Sequence, residues 1–135
     1  MPKWKWAVLG GVVLLASGWL GLNRPGRFGP SCYGYTSYNA LPRPVIDFQI
    51  RADGTLRRVA KTHDLGEAQL HWLLDPSPDV LVICKGWSSV VQVRDEVLQL
   101  PGRDIRVLPT GDGLSLFNEL RRAGRKVAIH VHSTC

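Results

Sequence analysis

Three short β-prone runs, Val80-Leu81-Val82-Ile83-Cys84, Ile105-Arg106-Val107-Leu108 and Val127 to Val131, are separated by segments with helical spacing. An unbroken apolar run of strand length is what a strand covered on both faces requires. Strands that alternate with helices argue for a mainly parallel sheet with right-handed crossovers. Pro109-Thr110-Gly111-Asp112-Gly113 opens a helix whose Leu114, Phe117 and Leu120 share one face, and Gly124 is placed to close it. Upstream, Val45, Phe48 and Ile50 lie in a β-prone run, Asp53-Gly54 is a hairpin turn, and Leu56 to Ala60 return. Asp64 is expected to cap a helix with Glu67 three positions on, its stripe made by Leu65, Ala68, Trp72 and Leu73, and Pro76 and Pro78 end it. A KGWSS turn then leads through Val90, Val91 and Val93 to a short helix over Arg94 to Leu100. The expected class is α/β: a three-layer fold over residues 44–135, with a mainly parallel or mixed central sheet and an N-terminal hairpin, preceded by a single hydrophobic helix.

That helix comes from Ala7 to Leu22, which holds no charged residue. Extended back to Trp4 it reaches roughly 28 Å, close to a hydrocarbon core of about 30 Å. Lys5 can snorkel outward, and Trp4, Trp6 and Trp19 suit an interfacial belt. A retained single-pass anchor over residues 1–22 is the preferred reading. A cleaved secretory signal, using the small residues Ala16-Ser17-Gly18, and an organellar leader are the competitors. Lys3 and Lys5 lean slightly toward a cytoplasmic N-terminus. Residues 23–43, rich in Gly, Pro and Tyr, read as a tether lying against the domain.

Charge excludes one function class. The net charge of +6 over 135 residues is concentrated in residues 1–46, which hold five basic residues and no acid; the rest carries 12 basic and 11 acidic groups. A domain built to grip phosphate backbones concentrates positive charge in its fold, so nucleic acid is not an expected partner. Three scattered cysteines without a CxxC pair give neither a disulfide framework nor a structural zinc site.

Loops that follow parallel strands share one sheet edge, so chemistry-bearing residues far apart in sequence converge there. The candidates for a binding cleft are Lys85, Gly86, Trp87, Thr110, Gly111, Asn118, His132 and Cys135. Cys84 ends an apolar strand and reads first as a small buried hydrophobe, with a thiol activated by Lys85 as the alternative. Cys135 carries the second candidate thiol, weakened by its own carboxylate. His130 and His132 share a strand face but lack an evident third ligand, so no metal and no cofactor is expected. His63 and His71 read as loop and helix-surface residues. Thr110 to Gly113 lacks phosphate-loop spacing, and Asp112 is expected to cap the helix. Asn118, in mid-helix, reads as a structural clasp rather than a ligand contact. Trp87 is the best recognition residue, with core packing as its equal alternative.

Residues 79–135 resemble the MTH-type small α/β domain family, whose branches include an adipogenesis-associated MTH domain protein and a mitochondrial complex I assembly factor. The resemblance rests on DVLVICKG, the VLPTGDGLSLFNEL block and the terminal HSTC. It implies a three-layer fold with a cleft at the strand ends, and no established reaction. Family members often carry Gly-x-Gly after the first apolar strand, where this chain has Cys84-Lys85-Gly86, and a membrane-like leader is not a family feature. The expected function is therefore a membrane-tethered, non-catalytic interaction or assembly module for a protein partner. The alternative is a small-molecule or thiol-redox enzyme using Cys84 or Cys135.

Overall fold

A computed structural model describes residues 2–135. Helix α1 (Lys3–Leu22) is apolar all round from Trp6 onward and buries none of its residues against the rest of the chain. Its 20 residues rise roughly 30 Å, long and apolar enough to cross a membrane. The helix ends in a built joint. Asn23 is fully buried; its N–H and its side-chain amide both donate to the Trp19 carbonyl at 2.9 Å, and its Oδ1 accepts from the Ser37 hydroxyl. Trp19 Nε1 donates to Ala40 O at 3.0 Å, fastening the last turn to the domain from a second side.

The segment expected to be a tether is instead part of the domain. Strands β1 (Tyr35–Tyr38) and β2 (Leu41–Pro44) form an antiparallel ribbon. Asn39 and Ala40, both at positive φ, make its two-residue turn, the twist that such hairpins favour. Phe28 and Tyr38 enter the hydrophobic core, where Phe28 meets the Phe117 ring edge-on at 5.0 Å. Asn118 holds the segment in place: its amide accepts from Phe28 N and donates to Phe28 O, both at 2.8 Å. This is the clasp expected of a mid-helix asparagine. Val45, expected in the next strand, is exposed at positive φ and acts as a corner.

The central sheet has the order β4-β3-β9-β6-β8. It consists of β3 (Asp47–Ile50), β4 (Leu56–Val59), β6 (Val80–Cys84), β8 (Asp104–Leu108) and β9 (Val127–Val131). β6 runs parallel to both β8 and β9, while β3 is antiparallel to β4 and β9. The expected mixed sheet with a hairpin at one side is therefore correct. Alternation across the pleat explains the unbroken apolar runs. Val80, Val82, Cys84, Val127, Ile129 and Val131 face helix α4 (Thr110–Arg122), while Leu81, Ile83 and Ala128 pack with the opposite layer.

That opposite layer departs from expectation. Asp64 does not cap a helix; Asp64–Leu65 form a short strand, β5, parallel to β7 (Gln92–Val93). Gly66 precedes helix α2 (Glu67–Leu70), and its N–H is met by Gln69 Oε1 at 2.8 Å. Leu65 is fully buried and could not be spared to a solvated helix start, while the Asp64 carboxylate pairs with Arg94 at the surface. A 3-10 turn (His71–Leu74) and helix α3 (Asp95–Leu98) complete the layer. Asp112 is likewise no cap: α4 starts at Thr110 after Pro109, and Asp112 lies exposed in its first turn, where a negative charge favours the helix dipole.

If residues 24–44 belong to the core, Phe28→Ala should destabilise the domain by about 3–5 kcal/mol. Denaturant unfolding of the full chain in detergent measures this. A loss below about 1 kcal/mol would mean that the segment is only laid against the domain.

Candidate functional site

The C-terminal ends of β6, β8 and β9 lie at one edge of the sheet, as parallel pairing demands. Because β3 is antiparallel to β9, its first residue reaches the same edge. The pairing of Phe48 with Val131 sets Asp47 opposite His132. Three of the sequence-predicted stretches therefore meet. Thr110 Oγ1 donates to His132 O at 2.7 Å and accepts from Gly86 N at 3.0 Å, while Lys85 N donates to Leu108 O at 2.9 Å.

They close on one another rather than around a cleft. Trp87 N donates to Thr134 O at 2.8 Å, and the N–H groups of Ser88 and Val90 donate to Cys135 O at 3.1 and 3.3 Å. Gly86, at φ +97°, presses directly on the Cys135 backbone, leaving no room for a side chain. The expected open mouth at the strand ends is thus filled by residues 133–135. Trp87 is half-buried, its ring packed over Gly111, where even a methyl group would meet it at 2.9 Å. Of the two readings of Trp87, packing is the one the structure supports. A small cavity of about 130 Å³ remains between Trp87, Gly111, Ser115 and Asn118.

Cys84 is fully buried beneath α4 against Gly113, and burial pushes its thiol well above the usual range. That setting is the one a small buried hydrophobe has. The three cysteines are free.

The chemically rich side of the rim lies on the β3 side of β9. Asp47 Oδ2 accepts from His132 Nδ1 at 2.7 Å, and Asp47 Oδ1 accepts from Lys61 Nζ at 2.7 Å and Ser133 N at 3.0 Å. Asp47 and His132 are both buried. Burial works to raise the Asp47 pKa, but hydrogen bonds from His132, Lys61 and Ser133 outweigh it and hold the carboxyl far below its ordinary range. The carboxylate accepts the hydrogen bond from Nδ1, and Nε2 of His132 lies 3.5 Å from Thr134 Oγ1. His63 stands edge-on to His132, ring centroids 5.3 Å apart, and its Nε2 lies 3.4 Å from Cys135 Sγ. One donor atom from each of His63, His132 and Cys135 falls within 4.8 Å of the others.

Sequence reasoning sought a third ligand beside His130 and His132 and found none. The fold separates that pair's roles and supplies other partners. His130 is buried next to Gln49, whose amide approaches its Nδ1 at 3.0 Å, and its Nε2 has no partner. It lines a concavity of about 380 Å³ with Arg57, Thr62 and Gln69. His71 is exposed on its 3-10 turn, as expected. Asp47, Lys61 and the convergence of His63 with Cys135 were missed. The one available signal was an acid at the head of an otherwise core-facing strand.

An α/β chain with a titratable cluster beside a self-filled strand-end mouth is the class these features define. No protein-family model and no curated protein matches the chain. Solved structures of the same fold do. MT938 is 25% identical with a TM-score of 0.69, covering 81% of this chain and 98% of its own. Conserved hypothetical protein PH1505 from Pyrococcus horikoshii OT3 is 19% identical with a TM-score of 0.70, covering 81% and 99%. A protein from Bartonella henselae described as an outer membrane protein is 19% identical with a TM-score of 0.66, covering 82% and 98%.

Burial lowers the His130 pKa from 6.5 to about 4. A histidine neutral in the fold but charged when unfolded stabilises fully above pH 6.5 and progressively less as pH falls to about 4. At about 1.4 kcal/mol per unit this loss is roughly 3 kcal/mol. Asp47 acts in the next window: its contribution is complete above 3.8 and fades only as the pH falls further. Unfolding free energy measured against pH should therefore fall from 6.5 to 4, and His130→Gln should flatten that limb alone. An unchanged slope in the variant would remove His130 as the cause.

Proposed function

We propose that this chain is a membrane-anchored, non-catalytic α/β module of the MTH-type family, holding a protein partner beside its strand ends. The observation that carries the anchor is the buried Asn23 joint. A leader destined for removal has no need of a final turn locked into the domain core. Cleavage at Ala16 to Gly18 would leave Trp19, Leu20 and Leu22 as an exposed apolar stub fixed to the domain surface. The family reading is supported by the HSTC and PTGDG blocks and by fold similarity along nearly the whole length of MT938.

The self-filled mouth supports a binding role rather than a catalytic one, because the usual ligand position of an open α/β sheet is already taken. The adjoining groove is free. Lys85, Val91, Val93 and Val107 line about 450 Å³, bordered by Val90 and Leu98, which are 48% and 51% exposed. A groove of mixed polarity, with Val90 and Leu98 on its border, Ser89 and Gln92 inside it and Lys85 at its edge, suits an amphipathic, acidic peptide segment of a partner. Full-length chain expressed in cells should stay in the membrane pellet after alkaline carbonate at undiminished mass; a shortened, released product would overturn the anchor. Val90→Asp with Leu98→Asp should lower co-purification of membrane partners about tenfold or more, and unchanged recovery would remove the groove.

One observation favours thiol chemistry as a second reading: the Cys135–His63 contact. Under it, Cys135 is the reactive group and Cys84 is inert. Timed alkylation of the native chain should label Cys135 and leave Cys84 unmodified, with His63→Ala slowing the Cys135 reaction severalfold. A rate unchanged by that substitution would end this reading.

A further inference from the structure

We propose that His63, His132 and Cys135 form a binding site for a zinc-type d10 transition-metal ion. The inference is independent of whether the chain is anchored. Two imidazoles and one thiolate are a donor set for zinc and its neighbours, whereas calcium and magnesium demand oxygen ligands. Bond lengths of about 2.1 Å to nitrogen and 2.3 Å to sulfur put tetrahedral donors roughly 3.5 Å apart. Cys135 Sγ and His63 Nε2 already stand at 3.4 Å, and the whole triad lies within 4.8 Å.

The shell behind the donors is that of a metal site. His132 Nδ1 is hydrogen-bonded to the buried Asp47 carboxylate at 2.7 Å, the arrangement that fixes a ligating histidine's tautomer and raises its basicity. Lys61 pairs with the same carboxylate at 2.7 Å, so its charge is matched before the ion arrives. The backbone of each donor is also held: His63 O by Gln92 N at 2.8 Å, His132 O by Thr110 Oγ1, and Cys135 O by Ser88 N and Val90 N. The His63 side chain is exposed on its loop, where nothing buried has to shift for it to adjust. On binding, the two imidazole lone pairs and the sulfur donate to the ion, and the thiol proton leaves to solvent. Affinity therefore rises with pH. The exposed side of His63 leaves the fourth position open to water or an outside ligand.

Full-length chain in detergent, stripped with a chelator and titrated with cobalt(II), tests the site. The expected result is one cobalt per chain, with tetrahedral d–d bands and a sulfur-to-cobalt charge-transfer band. Cys135→Ser should abolish the charge-transfer band, His63→Ala should weaken binding about tenfold or more, and Cys32→Ser should change neither. Both donors substituted lie at least partly at the surface, and circular dichroism confirms that each variant is folded. Absence of a thiolate band at equimolar cobalt would overturn the proposal. So would a band that survives Cys135→Ser, or affinity indifferent to His63→Ala.

Discussion

A carboxylate cannot be taken out of water alone, and the arrangement of this fold's functional edge follows from burying Asp47. Its hydrogen bonds tie three pieces of chain together. His132 and Ser133 come from the end of β9, Lys61 from the segment beyond β4, and Asp47 itself from the head of β3. An unpaired buried charge costs several kcal/mol, so these pieces form together or the edge does not form. The same bonds set the His132 tautomer and steer residues 133–135 across the strand ends. Packing and chemistry here share one cause.

The second constraint is the junction of α1 with the domain. An apolar helix joined by a loose linker would leave the domain free to tumble at a surface. Here Asn23 satisfies the helix end from inside the core, and Trp19 bonds to the turn of the β1–β2 ribbon. That ribbon leads through Phe28 to Phe117 and Asn118 on α4. Orientation at a membrane would thus be transmitted into the sheet's helical layer without a flexible hinge. Arg24 and Arg27, beside the same joint, line a concavity with Arg122.

What could be read from the sequence was what periodicity reports. Val80 to Cys84 and Val127 to Val131 are covered on both faces, so burial forces every residue to be apolar or internally paired, and the runs announce themselves. Leu114 and Phe117 recur at helical spacing for the same reason. The β1–β2 ribbon could not be read that way. Its sequence of prolines, glycines and tyrosines has no stripe, and it enters the core through single rings at Phe28 and Tyr38. Asp64 misled because a carboxylate three residues before a helix former has two uses, and only the buried Leu65 decides between them. Asp47 and His132 are 85 residues apart, and strand register alone makes them neighbours.

Register also decides where chemistry can take place. In an open α/β sheet the carboxyl ends of the strands ordinarily receive a ligand, yet Gly86 here lies so close to Cys135 that residues 133–135 occupy that position. Thr110 then serves as an internal brace, bonded to both Gly86 and His132. Beside the filled mouth the side chains of His132 and Cys135 both meet His63. The α4 side is left with a packed Trp87 and a cavity too small for a typical organic ligand. The titratable cluster around Asp47 and His132 lies on the β3 flank, while the Val90–Leu98 groove lies on the β8 side. The stretch from Lys85 to Gln92 touches both surfaces: Ser88 and Val90 pin Cys135, Gln92 holds His63 O, and Val90 to Gln92 also line the groove.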